Sequence, residues 1–508
     1  MSANVEIGKF TLESLTTGMY EQPLIVYREY LQNAADALED AKRKGIISDR
    51  EMSVTIKIDS LERTIEIFDN GSGIADDMAA NVLLSVGSSQ KIHTESRGFR
   101  GIGRLGGISY CDKLEFETTA CGSCIGIKVS FDCAKLKQLL LPGESTDLTM
   151  AEVLDQVSNA TSFKVDNDEH YFIVRMLGVD DRTGLLDEEI VTAYLEQNAP
   201  VGYSPNFKML SDHIYSFLSQ SQIVLTEFPV MISFDGKRMK PVQKPFSRHY
   251  VAGRGKDAEK DTVYEASTFS VVDQNGNLLA IGWYGKSSWL GTLKEDTIRG
   301  LRLRKGNIQI GDEHTLDNIF KQARFNGWIQ GEVFVVSDDL IPNARRDNFE
   351  QNDAYFQLLR LLRQGIGSLI SDEITTASKR RNDPVQKAVA KGTAIVQTVE
   401  QKQVSGFNSK DEAEHAHEEL EQALATLSKA KTAQPEIRQA QEDAVQRITS
   451  ALAIFDDEPT HYKIDKLKGV LSKKERKILQ IASDVMTEYL EGSLLDVIMD
   501  NIVDELTR

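Results

Sequence analysis

Three short motifs, each built of polar residues and glycine, follow one another within the first 110 residues and constrain this chain more than any other feature. The first is Glu29-Tyr30-Leu31-Gln32-Asn33-Ala34-Ala35-Asp36. It lies in residues 20–44, where Tyr20, Leu24, Tyr27, Leu31, Ala34 and Leu38 recur at helical spacing. Glu29, Asn33 and Asp36 stand at i, i+4 and i+7, so one helix face presents all three. A carboxylate there can orient water and an amide oxygen can ligate a cation; taken alone, the pattern also describes a solvated helix face. The second motif, Asp69-Asn70-Gly71-Ser72-Gly73-Ile74, follows the alternation of Ile65 and Ile67 that marks a strand. A carboxylate on a glycine turn at a strand end can accept a hydrogen bond from a base amino group, although an ordinary Asp-Asn-Gly turn reads the same way. The third, Gly98-Phe99-Arg100-Gly101-Ile102-Gly103, sets glycines ahead of a helical pattern, where backbone N–H groups can meet phosphate oxygens. It lacks the strand–turn–helix frame of a dinucleotide fingerprint and the Gly-Lys-Ser/Thr of a Walker loop.

In this order the motifs resemble the N, G1 and G2 boxes of the GHKL superfamily, the ATPases of gyrase, the ninety-kilodalton heat-shock chaperones, histidine kinases and MutL. The resemblance implies a Bergerat-type α/β sandwich with an eight-stranded sheet, ATP and Mg²⁺ as cofactors, and ATP hydrolysis as the activity. It implies that Glu29 is the general base and that Asn33 binds Mg²⁺, with Asp36 on the same face. Asp69 receives the adenine amino group, Gly71, Gly73 and Ile74 line the pocket, and Gly98, Gly101, Ile102 and Gly103 cradle the triphosphate. Residues 83–97 resemble the ATP lid. Within them Gly87-Ser88-Ser89-Gln90-Lys91 is similar to a G-S-x-K lid element, which puts Lys91 at a phosphate; a surface lysine fits those residues as well. Thr118, or its neighbour Thr119, completes the adenine site.

A second segment, from Asp339 through Asn343, Arg345, Arg346 and Asp347 to Glu350, resembles the middle-domain stretch of heat-shock chaperones whose arginine reaches the γ-phosphate. The matching position is Arg346, or Arg345 with the register moved by one. Physically this is an arginine finger supplied by a second domain; the plainer reading is an Arg–Asp network at a loop. Arg302-Leu303-Arg304-Lys305-Gly306-Asn307 is similar to the loop by which MutL, gyrase and microrchidia ATPases send a lysine to the γ-phosphate, here Lys305. A basic β-turn is the plainer reading there.

The rest of the chain reads as α+β. Residues 113–118 and 125–131 alternate about Gly122-Ser123 as a hairpin. Residues 134–220 are mostly helical in pattern, with an ill-defined middle. From residue 226, strand-like runs at 228–234, 267–272, 278–283, 301–310 and 331–336 precede a helix over 355–370. Beyond residue 378 strands give way to helical seams through Ala413, Ala416, Leu420, Leu424 and Leu427, and through Ile437, Ala440, Ala444, Ile448, Ala451 and Phe455. Their length predicts a helical hairpin with coiled-coil-like packing. A last helix is expected from Ser472, capped by Glu475 and carrying Ile478, Ile481, Val485, Leu494, Ile498 and Ile502. The expected domains are an ATP-binding domain over 1–225, an S5-like transducer or middle domain over 226–377, and a helical C-terminal domain over 378–508.

Composition bounds the function. Hydrophobic residues at 41% and charged residues at 27% describe a globular rather than a disordered chain. A net charge of −18 repels phosphodiester backbones, so nucleic acid is a partner only through local basic patches. No apolar run is long enough to span a bilayer, and residues 1–8 lack a charged leader with an apolar core. A cytoplasmic location with reduced thiols is expected. Cys121 and Cys124 form a Cys-x-x-Cys that can hold zinc, but hairpin alternation explains their setting better. The leading expectation is a chaperone-like ATPase, in which hydrolysis drives lid closure and clamping of a homodimer on a protein client or partner. The alternative is a DNA-remodelling or repair ATPase of the MutL, topoisomerase or microrchidia kind. A histidine kinase fits less well, because His417-Glu418 follows the ATP motifs instead of preceding them.

Overall fold

The computed structural model of the chain describes residues 8–9, 11, 22–85, 103–141, 148–253, 258–432, 435–457, 460–489 and 492–507. The chain divides into two compact units, Met1–Ile374 and Thr375–Arg508.

The first unit begins its described core with helix α1, Ile25–Arg43. Val26, Tyr27, Leu31, Ala34, Leu38 and Ala41 form one buried stripe of it. Lys42 and Arg43 sit at the carbonyl end. The helix stops at Gly45, whose φ of +71° lets its N–H reach the Lys42 carbonyl while Ile46 N–H reaches that of Ala41. Strands β1 (Val54–Asp59) and β2 (Thr64–Asp69), helix α2 (Asp76–Leu84), a 3₁₀ segment (Gly103–Tyr110), and strands β3 (Lys113–Thr119) and β4 (Ile125–Asp132) follow. Next come α3 (Cys133–Leu139), α4 (Met150–Val157), β5 (Ser158–Lys164), β6 (Tyr171–Leu177), α5 (Glu188–Asn198), α6 (Lys208–Gln220), β7 (Val230–Phe234) and β8 (Lys240–Pro241). Eight strands form one sheet in the order β5-β4-β3-β6-β2-β1-β7-β8. Only the β1–β7 pair is parallel. Tyr27, Leu31 and Leu38 share a core with Ile56, Ile67, Phe116, Phe131 and Val174.

Two parts of this sheet differ from the pattern-based expectation. Residues 134–220, expected to be mostly helical about an ill-defined middle, contribute β5 and β6 from that middle, and β6 lies in the interior of the sheet between β2 and β3. Arg175 fixes β6 there by pairing with Glu66 of β2 at 2.9 Å and Glu117 of β3 at 2.7 Å. β5 is an edge strand of mostly polar, exposed residues, so it has no apolar alternation to detect. The run 228–234, expected to open the second domain, instead supplies β7, and Val230, Ile232 and Phe234 enter the first core. Conversely, Leu210, Ile214 and Leu218 of α6 pack in a second core with Phe246, Leu293 and Trp283. The chain thus visits the second core, returns to close the first sheet, and leaves again.

That second core is built by the β9–β10 pair (His249–Ala252 and Glu259–Thr262), β11 (Glu265–Val272), β12 (Leu278–Lys286), β13 (Gly300–Lys305), β14 (Ile308–Gln309) and β15 (Gln330–Val335). Five strands form a sheet in the order β11-β12-β15-β13-β14, with β13 and β15 parallel. Helix α7 (Asp353–Leu362) follows, and α8 (Ser368–Asn382) carries the chain onward. Where the cores meet, the Glu332 carboxylate is fully buried and takes bonds from Arg304, the Tyr203 hydroxyl, Lys244 at 3.0 Å and Trp283 Nε1 at 3.1 Å. Burial pushes the Lys244 ammonium down to about 8 against the pull of Glu332.

In the second unit, α9 (Pro384–Ser405), α10 (Lys410–Lys429) and α11 (Pro435–Asp457) form a three-helix bundle around Val396, Val399, Leu420, Leu427, Ala444 and Ile448. The expected hairpin is therefore joined by a third helix, α9, capped by Asp383 with Pro384 in its first turn. The apolar pattern expected as one last helix is carried by two, α12 (Lys473–Tyr489) and α13 (Gly492–Thr507). Ser472 and Glu475 make the expected capping box. Among the described residues no helix is long and apolar enough to cross a membrane.

Candidate active site

Glu29 lies on the second turn of α1 with its carboxylate 8% exposed. Tyr30, its neighbour, pins the 3₁₀ segment to the helix: its hydroxyl donates to the Arg104 carbonyl at 3.2 Å and accepts from Gly107 N–H at 3.1 Å. The pinning brings Gly103 so close that a Cβ there would lie 2.1 Å from Glu29 Oε2. Only glycine fits a backbone at that distance from a carboxylate. Glu29 Oε1 is buried and accepts no hydrogen bond from the described residues, which leaves a lone pair for a water molecule.

Asp69 ends β2 and is 4% exposed. It pairs across the sheet with Phe172 of β6, which pairs in turn with Thr118 of β3. Directly opposed residues of antiparallel strands share a face, so Asp69, Phe172 and Thr118 form one row on the face where Ile67, Val174 and Phe116 are also buried. The Asp69 carboxylate accepts the Gly71 N–H at 2.9 Å. A Cβ on Gly71 would meet Ala37 of α1 at 2.5 Å, and one on Gly73, at φ +59°, would meet the Thr119 carbonyl at 1.8 Å. Thr118 is fully buried; its hydroxyl accepts from Ile74 N–H at 3.0 Å and donates to the Tyr171 carbonyl at 2.9 Å. It therefore holds the glycine turn onto the sheet, and one lone pair remains for a further donor. Thr119 is tied instead to the Ile125 carbonyl at 3.4 Å.

Asn33, one turn after Glu29, is partly exposed. Asp36 is half-buried on the next turn. Lys91, Gly98, Gly101 and Ile102, with residues 86–97 of the expected lid, lie outside the described residues.

The two arginines of the 339–350 segment are placed differently. Arg345 is exposed. Arg346 is 7% exposed, and its Nε lies 3.5 Å from Glu29 Oε1. It holds φ +55°, a conformation that side-chain-bearing residues rarely adopt. Lys305 is held within its own sheet: its ammonium donates to the Ser337 carbonyl at 2.7 Å and the Val336 carbonyl at 3.4 Å, and burial lowers its pKa. The described contacts do not bring it to Glu29.

Other groups at the site escaped the sequence reading. Arg28 is 5% exposed, lies 4.0 Å from Glu29 and reaches the backbone of the Arg346 loop. Gln32 is buried with both amide atoms unpaired among the described residues. The Tyr194 hydroxyl of α5 is likewise unpaired, close enough to Arg28 and Glu29 for both to act on its titration, which burial raises. His170 Nδ1 donates to the Gly71 carbonyl at 2.9 Å. Gln32 lies inside the first motif and Arg28 immediately before it, but their helical spacing looks like that of any buried-face residue.

The site therefore combines a buried carboxylate against Gly103, an acid-and-hydroxyl row beside a glycine turn, and an arginine brought from the 339–350 segment. Residues 22–162 match the family described as histidine kinase-, DNA gyrase B-, and HSP90-like ATPase. The chain is also similar to curated chaperones. It is 28% identical over 129 residues to the chaperone protein HtpG of Acinetobacter baylyi, covering 22% of this chain and 20% of that protein. It is 26% identical over 140 residues to HtpG of Polaromonas naphthalenivorans, covering 24% and 22%. The similarity thus spans about a fifth of the length of these relatives.

Proposed function

We propose that this protein is a Mg²⁺-dependent ATPase of the heat-shock-chaperone-like kind, in which hydrolysis drives lid closure and the clamping of two copies on a protein client or partner. The observation that carries the reading is the Glu29 carboxylate, buried against Gly103, with Oε1 accepting no hydrogen bond from a described residue and lying 3.5 Å from Arg346 Nε. Asp69 would accept the adenine amino group beside Thr118, with Gly71, Gly73 and Ile74 shaping the pocket. Gly103, together with Gly98, Gly101, Ile102 and Lys91, would face the phosphates. Asn33 would hold Mg²⁺, which when bound neutralises phosphate charge. Glu29 takes a proton from water at Oε1. Arg346 stabilises charge on the departing phosphate, and Lys305 would do so only by giving up its carbonyl partners. In this reading, residues 1–225, 226–377 and 378–508 act as ATP-binding, transducing and helical docking parts, with β7 and β8 belonging to the first of these. The relatives, each named a chaperone protein, favour a protein partner over DNA, and a cytoplasmic setting is proposed with it.

Light scattering and phosphate release, on wild type and Glu29→Ala with and without Mg-ATP, test this directly. Wild type is expected to release phosphate. Glu29→Ala is expected to bind ATP, become trapped as a compact dimer, and turn over slower by roughly 10²–10⁴-fold. Undiminished turnover in Glu29→Ala would sink the base assignment.

A further inference from the structure

We propose that Arg28 is a positioning residue that grips the Arg346 loop of the second sheet and holds it on the helix bearing Glu29. The inference rests on reading Glu29 as the base and Arg346 as the finger. The Arg28 guanidinium is buried, and its Nη2 donates to the Arg345 carbonyl at 2.8 Å while Nη1 donates to the Arg346 carbonyl at 3.3 Å. These partners lie more than 300 residues away in the chain. Gripping two successive carbonyls fixes the two peptide planes that flank the Arg346 Cα, and their relative orientation sets the direction in which the Arg346 side chain leaves the backbone. A lysine could not do this, because it is a single point of charge without a planar fork.

The conformation being held needs holding. Arg346 at φ +55° persists only where its surroundings over-determine it. Its N–H donates to the Asn343 carbonyl at 3.2 Å, and its carbonyl accepts from Gly311 N–H at 2.9 Å as well as from Arg28. Without the two Arg28 donors the loop can relax toward negative φ, which swings the Arg346 side chain off Glu29. Because Arg28 and Glu29 are adjacent on α1, the grip also makes base and finger move as one body.

The test uses the full chain as Arg28→Met, Arg346→Met and the double variant, with Arg28→Lys alongside. Arg28→Lys keeps a cation in the buried position and reports on the grip should Arg28→Met fail to fold. Hydrogen exchange without nucleotide reads the grip alone: the Gly311 and Arg346 amides are expected to exchange faster in both Arg28 variants. Turnover reads the consequence: Arg28→Met is expected to lower kcat roughly tenfold or more, with KM for ATP within about twofold of wild type. If Arg28 acts through Arg346, the double variant is no slower than Arg346→Met alone. Losses that multiply in the double variant, or unchanged exchange at both amides, would overturn the proposal. A wild type that hydrolyses no ATP would defeat the ATPase reading instead, and exchange would still decide the grip.

Discussion

Single residues at this site are set by how close the backbones come. Gly71 sits against Ala37 of α1, and Gly73 against the Thr119 carbonyl. The turn after Asp69 is therefore pressed flat between helix and sheet, and the Asp69 carboxylate is left at the end of its row with Phe172 and Thr118. In the proposed pocket that carboxylate is the acceptor for an amino group, and an amide in its place turns a donor toward a donor. Asp69→Asn is thus expected to lose nucleotide binding by about tenfold or more, as a site built around one hydrogen bond does when the bond is reversed. Isothermal titration with a non-hydrolysable ATP analogue checks this, and unchanged affinity would mean that the base lies elsewhere. Asp69, Gly71, Gly73 and Glu29 were legible as motif residues. Arg28, Gln32 and Tyr194 were not, because what distinguishes them is burial beside a partner from another element.

Between elements, the decisive contact is the buried carboxylate of Glu332. It pairs with Lys244, which follows the first sheet, and with Arg304 of β13, and it takes hydrogen bonds from Tyr203 and Trp283. Arg304 also donates to the Gln197 carbonyl near the end of α5 at 2.8 Å, so the same cluster clasps the helix that carries Tyr194. Removing the one negative charge strands two buried cations. Glu332→Gln is expected to destabilise the first unit by about 3–5 kcal/mol, measured by denaturant unfolding followed through tryptophan fluorescence. A loss near zero would mean that Lys244 sheds its proton at neutral pH, for which its pKa of about 8 makes it the group nearest to hand. At this scale the sequence reading caught elements with a clean period, such as α1, β1, β2 and the seams of α10 and α11. It missed β5, whose polar edge has no period, and β6, which lies in a region otherwise patterned for helices.

For the whole molecule, the proposed clamp requires two copies to meet. Ile478, Ile481 and Val485 of α12 and Leu494 and Val497 of α13 are each at least half exposed, and apolar stripes of this kind mark surfaces that take partners. Ile481→Glu combined with Val485→Glu is expected to leave a monomer in nucleotide-free light scattering while the three-helix bundle keeps its helical circular dichroism. An unchanged mass would place self-association elsewhere. The order of three motifs determined by itself the resemblance to GHKL-type ATPases, which the family match of residues 22–162 supports, since a carboxylate, a glycine turn and a glycine loop at those spacings are local properties of the chain. Hydrophobic period likewise marked the helical character of the C-terminal quarter. Tertiary structure alone decided that β7 returns to the first sheet, that Arg346 and not Arg345 faces Glu29, and that Lys305 is spent on carbonyls of its own sheet. Each of these depends on contacts between residues far apart in sequence, and no periodicity or motif encodes which distant backbone a side chain will meet.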